Sequence, residues 1–172
     1  MAKHGGKLVV IAGGTGGIGR HIVDDILATN KHIVKVFTRQ DPSAAADLTA
    51  KGVNVVKVDY SDHVSLVKEL QGVHTVIACL FTADDSSIQS QLNPFDACLE
   101  AKVKRFAPSA FSGNNGSNTI IQLYRELKTP VREKVKASRI EYTIFINGLF
   151  MDCLYPNKYS LPYMTLHCLS QT

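Results

Sequence analysis

Apolar positions along this chain fall into two alternating patterns. Short runs rich in β-branched residues at 7–12, 32–38, 53–58, 74–80, 105–109 and 141–146 read as buried strands. Between them, residues 18–29, 62–71, 88–102 and 120–138 carry apolar side chains at helical steps. Each helical segment is long enough to cross back over a sheet. The alternation therefore predicts an α/β fold, a doubly wound parallel sheet with right-handed crossovers. Turn chemistry falls between the elements, at Asp41-Pro42-Ser43, Lys51-Gly52 and Gly113-Asn114-Asn115-Gly116. Past Ile146 the pattern fades, so residues 1–150 read as one domain and 151–172 as a tail without a clear period.

The turn after the first strand reads Gly13-Gly14-Thr15-Gly16-Gly17-Ile18-Gly19 and opens directly into an amphipathic helix. Strand, glycines and helix in that order identify an NAD(P)-binding Rossmann loop. Gly13 or Gly14 permits the tight turn, Gly16 lets backbone approach a pyrophosphate, and Gly19 lets the helix pack against the strand. The helix N-terminus stabilises the phosphate charge through its open N–H groups and dipole. Gly13, Thr15, Gly16, Gly17, Ile18 and Gly19 are thus the candidate phosphate contacts. The triphosphate loop G-x-x-x-x-G-K-[ST] is absent, which argues against nucleotide triphosphate hydrolysis.

The second strand ends in Thr38-Arg39, where NAD-preferring sites usually carry an acidic residue. A guanidinium at Arg39 meets a 2′-phosphate in bidentate fashion and does nothing comparable for a bare hydroxyl, so NADP(H) is the expected cofactor. Asp41, two residues on, keeps NAD open. Asp59, after the third strand, reads either as an acceptor for the adenine amine or as the cap of the helix beginning near Asp62.

Ligands of open α/β sheets bind at the carboxyl ends of the strands. There the fifth strand runs into Ser109-Ala110-Phe111-Ser112, followed by Tyr124-x-x-x-Lys128. Four residues on a helix put Tyr124 and Lys128 on one face. A nearby ammonium lowers a phenol's pKa and equips it to pass a proton to a carbonyl as hydride arrives. Ser109 or Ser112 would hold the substrate oxygen. Pro130 interrupts this segment. Because Ile120, Leu123, Leu127, Val131 and Val135 continue one apolar stripe through it, the segment reads as one kinked helix.

Composition narrows the classes. The 172 residues are 45% hydrophobic and 20% charged, which describes one soluble domain with a real core. The longest apolar run, 75–81, falls far short of the roughly 18 residues that cross a bilayer, and no signal-peptide stretch is seen at the N-terminus. A cytoplasmic protein without membrane association is expected. Cys79, Cys98, Cys153 and Cys168 are widely spaced, which suggests neither disulfides nor a metal site. The net charge of +4, from 19 basic and 15 acidic residues, comes without a basic run and gives no direct case for nucleic-acid binding.

Together these motifs resemble the NmrA-like and isoflavone-reductase-like proteins, atypical members of the short-chain dehydrogenase/reductase superfamily. The matching segments are residues 9–19, Thr38-Arg39, Val58-Asp59-Tyr60, 66–76, 103–109 and 128–150. The resemblance implies an NADPH-binding Rossmann domain in which Gly13, Gly16 and Gly19 match the phosphate loop and Arg39 the 2′-phosphate reader. In the reductase branch, a lysine at the place of Lys128 contacts the nicotinamide ribose and assists proton transfer during hydride transfer to a small apolar or aromatic substrate. In the NmrA branch the dinucleotide is sensed and the protein acts through a protein partner. The chain departs from the reductases by reading Ala110-Phe111-Ser112 where they carry Glu-Phe-Gly. It is also short at its C-terminus, so that 151–172 would be a remnant of the substrate region.

Overall fold

The computed structural model describes residues 5–81, 84–111 and 119–147; for Asp85 and residues 119–125 it describes the backbone alone. Six strands form one sheet: β1 (Leu8–Ala12), β2 (Ile33–Thr38), β3 (Asn54–Lys57), β4 (Thr75–Ala78), β5 (Arg105–Ala107) and β6 (Glu141–Tyr142). All pair in parallel, in the order β3-β2-β1-β4-β5-β6. The helices are α1 (Gly17–Ala28), α2 (Ala46–Ala50), α3 (His63–Glu69), α4 (Asp85–Glu100) and α5 (Thr119–Ala137). Strand order reverses direction between β1 and β4. That places the ligand crevice of such folds at the carboxyl ends of these two strands.

Alternation along the strands divides the core between the two faces of the sheet. Val10 and Ala12 of β1 pack with Phe37, Val76, Phe106, Leu66, Phe95, Val131 and Val135 under α3, α4 and α5. Val9 and Ile11 face the other way, onto Val23 of α1, Val34, Val36 and Leu48 of α2. Phe95 meets Phe106 edge to face, with ring centroids 5.1 Å apart. The doubly wound sheet expected from the apolar pattern is therefore the one observed.

The differences are local. Residues 41–43, read as a turn, begin a 3-10 turn, Pro42–Ala45, that leads into α2. Asp41 caps it, accepting from the Ser43 N–H at 2.9 Å, with Pro42 in the first turn. Leu48 then anchors α2 in the core with no exposed surface. The fifth strand stops at Ala107 rather than 109 because Pro108 has no N–H for the ladder. The sixth keeps only two residues. α4 starts at Asp85 rather than 88, set by Asp84, which accepts from the Ser87 N–H at 2.8 Å in a capping box. At Pro130 the expectation of one continuous helix holds: α5 runs through it from Thr119 to Ala137 with Val131 and Val135 buried. The Gly113–Gly116 turn and the tail from residue 148 onward lie outside the described residues.

Candidate functional site

The glycine loop joins β1 to α1 at the crevice. Gly13 takes φ +81°, and a Cβ there would stand 2.7 Å from the Cys79 carbonyl oxygen on the neighbouring chain end of β4. Of Gly13 and Gly14, Gly13 is thus the one that needs the left-handed turn. Gly19, inside α1, is excluded from any larger side chain by backbone: its Cβ would fall 2.3 Å from the Gly13 oxygen. Gly16 differs. It is the exposed N-cap of α1, and a Cβ there would meet no atom nearer than 3.6 Å. The space above Gly16 is open, and the N–H groups of Gly17, Ile18 and Gly19 at the start of the helix have no intrahelical acceptor. Thr15 ties the loop to the end of β2, its hydroxyl 3.3 Å from that of buried Thr38.

Arg39 follows Thr38 and lines two clefts at the carboxyl end of the sheet. One, of about 310 Å³, is completed by Lys57, Val58 and Asp59. The other is completed by Tyr60, Leu80, Phe81, Ser87 and Ser90. Asp59 accepts from both the N–H and the hydroxyl of Ser61, at 2.8 and 2.7 Å, which holds its carboxyl below the usual range. It does not cap α3. That role belongs to Asp62, which accepts from the Ser65 N–H at 3.0 Å. Tyr60 is 5% exposed. Burial raises its phenol pKa, and the Arg39 charge opposes that rise.

A second group of residues gathers beyond β5. Ser109 is buried and donates its hydroxyl to the Leu80 carbonyl at 2.7 Å, joining the ends of β4 and β5. Its proton is engaged there, which leaves the hydroxyl as an acceptor. Lys128 Nζ donates to the Phe111 carbonyl at 2.8 Å, and Arg132, one turn further along α5, donates to the Ala110 carbonyl at 3.1 Å. Burial, then the Arg132 charge, lowers the Lys128 pKa to about 8. Tyr124 lies four residues before Lys128 on the same unbroken helix. Its side chain, like Ser112, lies outside the described residues.

Two features of this region escape the sequence reading. Lys57 enters the Arg39 cleft because parallel register sets it opposite Thr38. The signal was a basic residue closing a strand next to the one that ends in Arg39. Phe111 and Phe145 stack at 6.0 Å with rings 7° apart, brought together by the pairing of β5 with β6. Among the described residues no group of three His, Cys, Asp or Glu could hold a metal ion, and no helix is long and apolar enough to cross a membrane.

The model of the NmrA-like family matches residues 5–171. An oxidoreductase of Botryotinia fuckeliana is 36% identical over 151 residues, spanning 85% of this chain and 49% of that protein. An isoflavone reductase homolog of Zea mays is 34% identical over 161 residues, spanning 87% of this chain and 50% of that protein. Among solved structures, the binary complex of leucoanthocyanidin reductase with NADPH from Vitis vinifera matches with a TM-score of 0.69 at 25% identity, covering 88% of this chain and 51% of that one. The chain spans about half the length of the curated relatives it matches.

Proposed function

The chain belongs to the NmrA-like family, and from that premise we propose that it binds NADP(H) and serves an NADPH-dependent reductase. Arg39 carries this reading. It stands at the end of β2, lines a cleft with Lys57, Val58 and Asp59, and is exposed where family folds meet the adenosine ribose. The glycine loop supports it independently, since Gly13 and Gly19 admit no side chain while Gly16 leaves room for a phosphate. The N-terminus of α1 supplies the positive dipole end.

When bound, NADPH supplies the hydride. The chain's own residues supply position and proton. Lys128 holds a proton on Nζ whose affinity lies close to neutral pH, suited to a ribose hydroxyl or a developing substrate oxygen. The Phe111 carbonyl fixes the direction of that ammonium. The stacked Phe111–Phe145 pair beside it favours a small apolar or aromatic substrate.

The test is a fluorescence titration of the purified chain with NADPH and with NADH, repeated on Arg39→Ala. Tight NADPH binding that weakens selectively in the variant supports the reading. No binding of either nucleotide overturns it. Turnover of NADPH against a panel of aromatic carbonyls and enol ethers, lost in Lys128→Ala, would mark an enzyme. Binding without turnover would instead place the chain with the non-catalytic relatives that sense the dinucleotide and act through a protein partner.

A further inference from the structure

We propose that Lys57 is a specificity-determining residue that reads the 2′-phosphate together with Arg39. This rests on the NADP(H) reading above and adds to it a residue from a different strand. The register of β2 with β3 sets Lys57 opposite Thr38, so Lys57 and Arg39 stand next to each other at the carboxyl ends of neighbouring strands. Both line one cleft, both are exposed, and neither makes an ion pair among the described residues. By contrast, Arg20, Lys35, Lys51, Arg105 and Lys134 each have a carboxylate partner.

A phosphomonoester carries roughly −1.5 to −2 charges at neutral pH, which a single guanidinium leaves partly uncompensated. Arg39 offers the planar fork, and Lys57 offers a compact second charge. The acidic neighbours explain why the second charge matters. Asp41 lies two residues beyond Arg39, close to the place where an NAD site presents a carboxylate to the ribose diol, and a carboxylate facing a phosphate repels it. In this chain the Asp41 carboxyl is occupied in capping the 3-10 turn through Ser43, and after those bonds the charge of Lys57 stabilises it further. Asp59, the acid that lines the cleft, has its carboxylate engaged by Ser61. Lys57 thus adds to the cleft a positive charge that no carboxylate takes up in an ion pair among the described residues.

The experiment measures dissociation constants for NADPH and NADH on the wild-type chain and on Lys57→Gln, Lys57→Arg and Asp41→Asn, with circular dichroism to confirm that each variant folds. Expected are a weakening of NADPH binding by about tenfold in Lys57→Gln, NADH binding unchanged within about twofold, and rescue in Lys57→Arg. In Asp41→Asn the preference for NADPH should rise. If NADPH and NADH weaken equally, or if neither changes while Arg39→Ala still abolishes the NADPH preference, Lys57 is no reader, and the NADP(H) reading survives. If the wild-type chain itself does not prefer NADPH, the reading fails, and this proposal with it.

Discussion

Lys128 donates from Nζ to the carbonyl oxygen of Phe111 across 2.8 Å, a bond between the middle of α5 and the loop leaving β5. It fixes the ammonium beside the one stacked aromatic pair found at that end of the sheet among the described residues. A backbone carbonyl favours the charged amine, yet burial and Arg132 outweigh it and bring the pKa from 10.5 down to about 8.

Two pH effects follow from that lowering. Between about 8 and 10.5 the unfolded chain keeps the Lys128 proton and the folded chain does not, so folding stability gains from this group as pH rises through that window. Below about 8 both states hold the proton and the burial penalty is constant. If Lys128 donates a proton in catalysis, turnover should be level below about 8 and fall above it. NMR of isotope-labelled lysine amines, compared with Lys128→Met to assign the signal, reads the midpoint directly. A Lys128 amine that titrates at the ordinary lysine value would end the argument.

Gly16 and Gly19 should separate binding from folding. In Gly19→Ala the new methyl lands on the backbone of Gly13 and Gly14, at 2.3 to 2.9 Å, and neither can yield without moving the turn. Urea denaturation should show a loss of about 3 kcal/mol, the upper range of overpacking, despite the helix propensity gained. Gly16→Ala meets nothing nearer than 3.6 Å, so stability should stay within about 0.5 kcal/mol of wild type. NADPH affinity should nonetheless fall in Gly16→Ala, because the methyl occupies the approach to the phosphates.

The contrast shows which parts of the site are legible in a sequence. The β1 turn and α1 are contiguous, so glycine spacing and apolar period together define them, and Arg39 lies one short strand further on. What sequence reading misses is made by chain segments far apart. Lys57 is an ordinary exposed strand end until its register with Thr38 is known. The Phe111–Phe145 stack needs the β5–β6 pairing, and Ser109 turns its hydroxyl to Leu80 of another strand's end. α2 is hidden for a different reason, because Asp-Pro-Ser serves a turn and a helix start equally well and only the burial of Leu48 decides between them.

Asp59 and Asp62 should differ under one kind of substitution. Asp62→Ala removes the acceptor for the Ser65 N–H at the start of α3 and should lower stability by about 1 kcal/mol. Asp59→Ala loses only an exposed local turn with Ser61 and should leave the denaturation midpoint nearly unchanged. If Asp59 faces the adenine amine in the bound state, Asp59→Ala weakens NADPH and NADH alike, which also separates it from Lys57.

The attachment of α2 decides how firmly the Asp41 turn that leads into it is held, and two kinds of contact compete to explain it. Arg20 pairs with Asp47 of α2, while Asp24 pairs with Lys51 at 2.6 Å, both reaching across from α1. These groups are substantially exposed, so each pair is worth under about 1 kcal/mol and weakens in salt. Leu48 has no exposed surface and packs against the face that carries Val23 and Val36. Leu48→Ala should therefore cost about 2 to 5 kcal/mol, undiminished at high salt, whereas Asp47→Ala should cost little and vary with ionic strength. Denaturation of both variants at low and high salt distinguishes the two accounts. A larger loss in Asp47→Ala than in Leu48→Ala would mean that charge, not burial, holds this helix and the Asp41 turn in place.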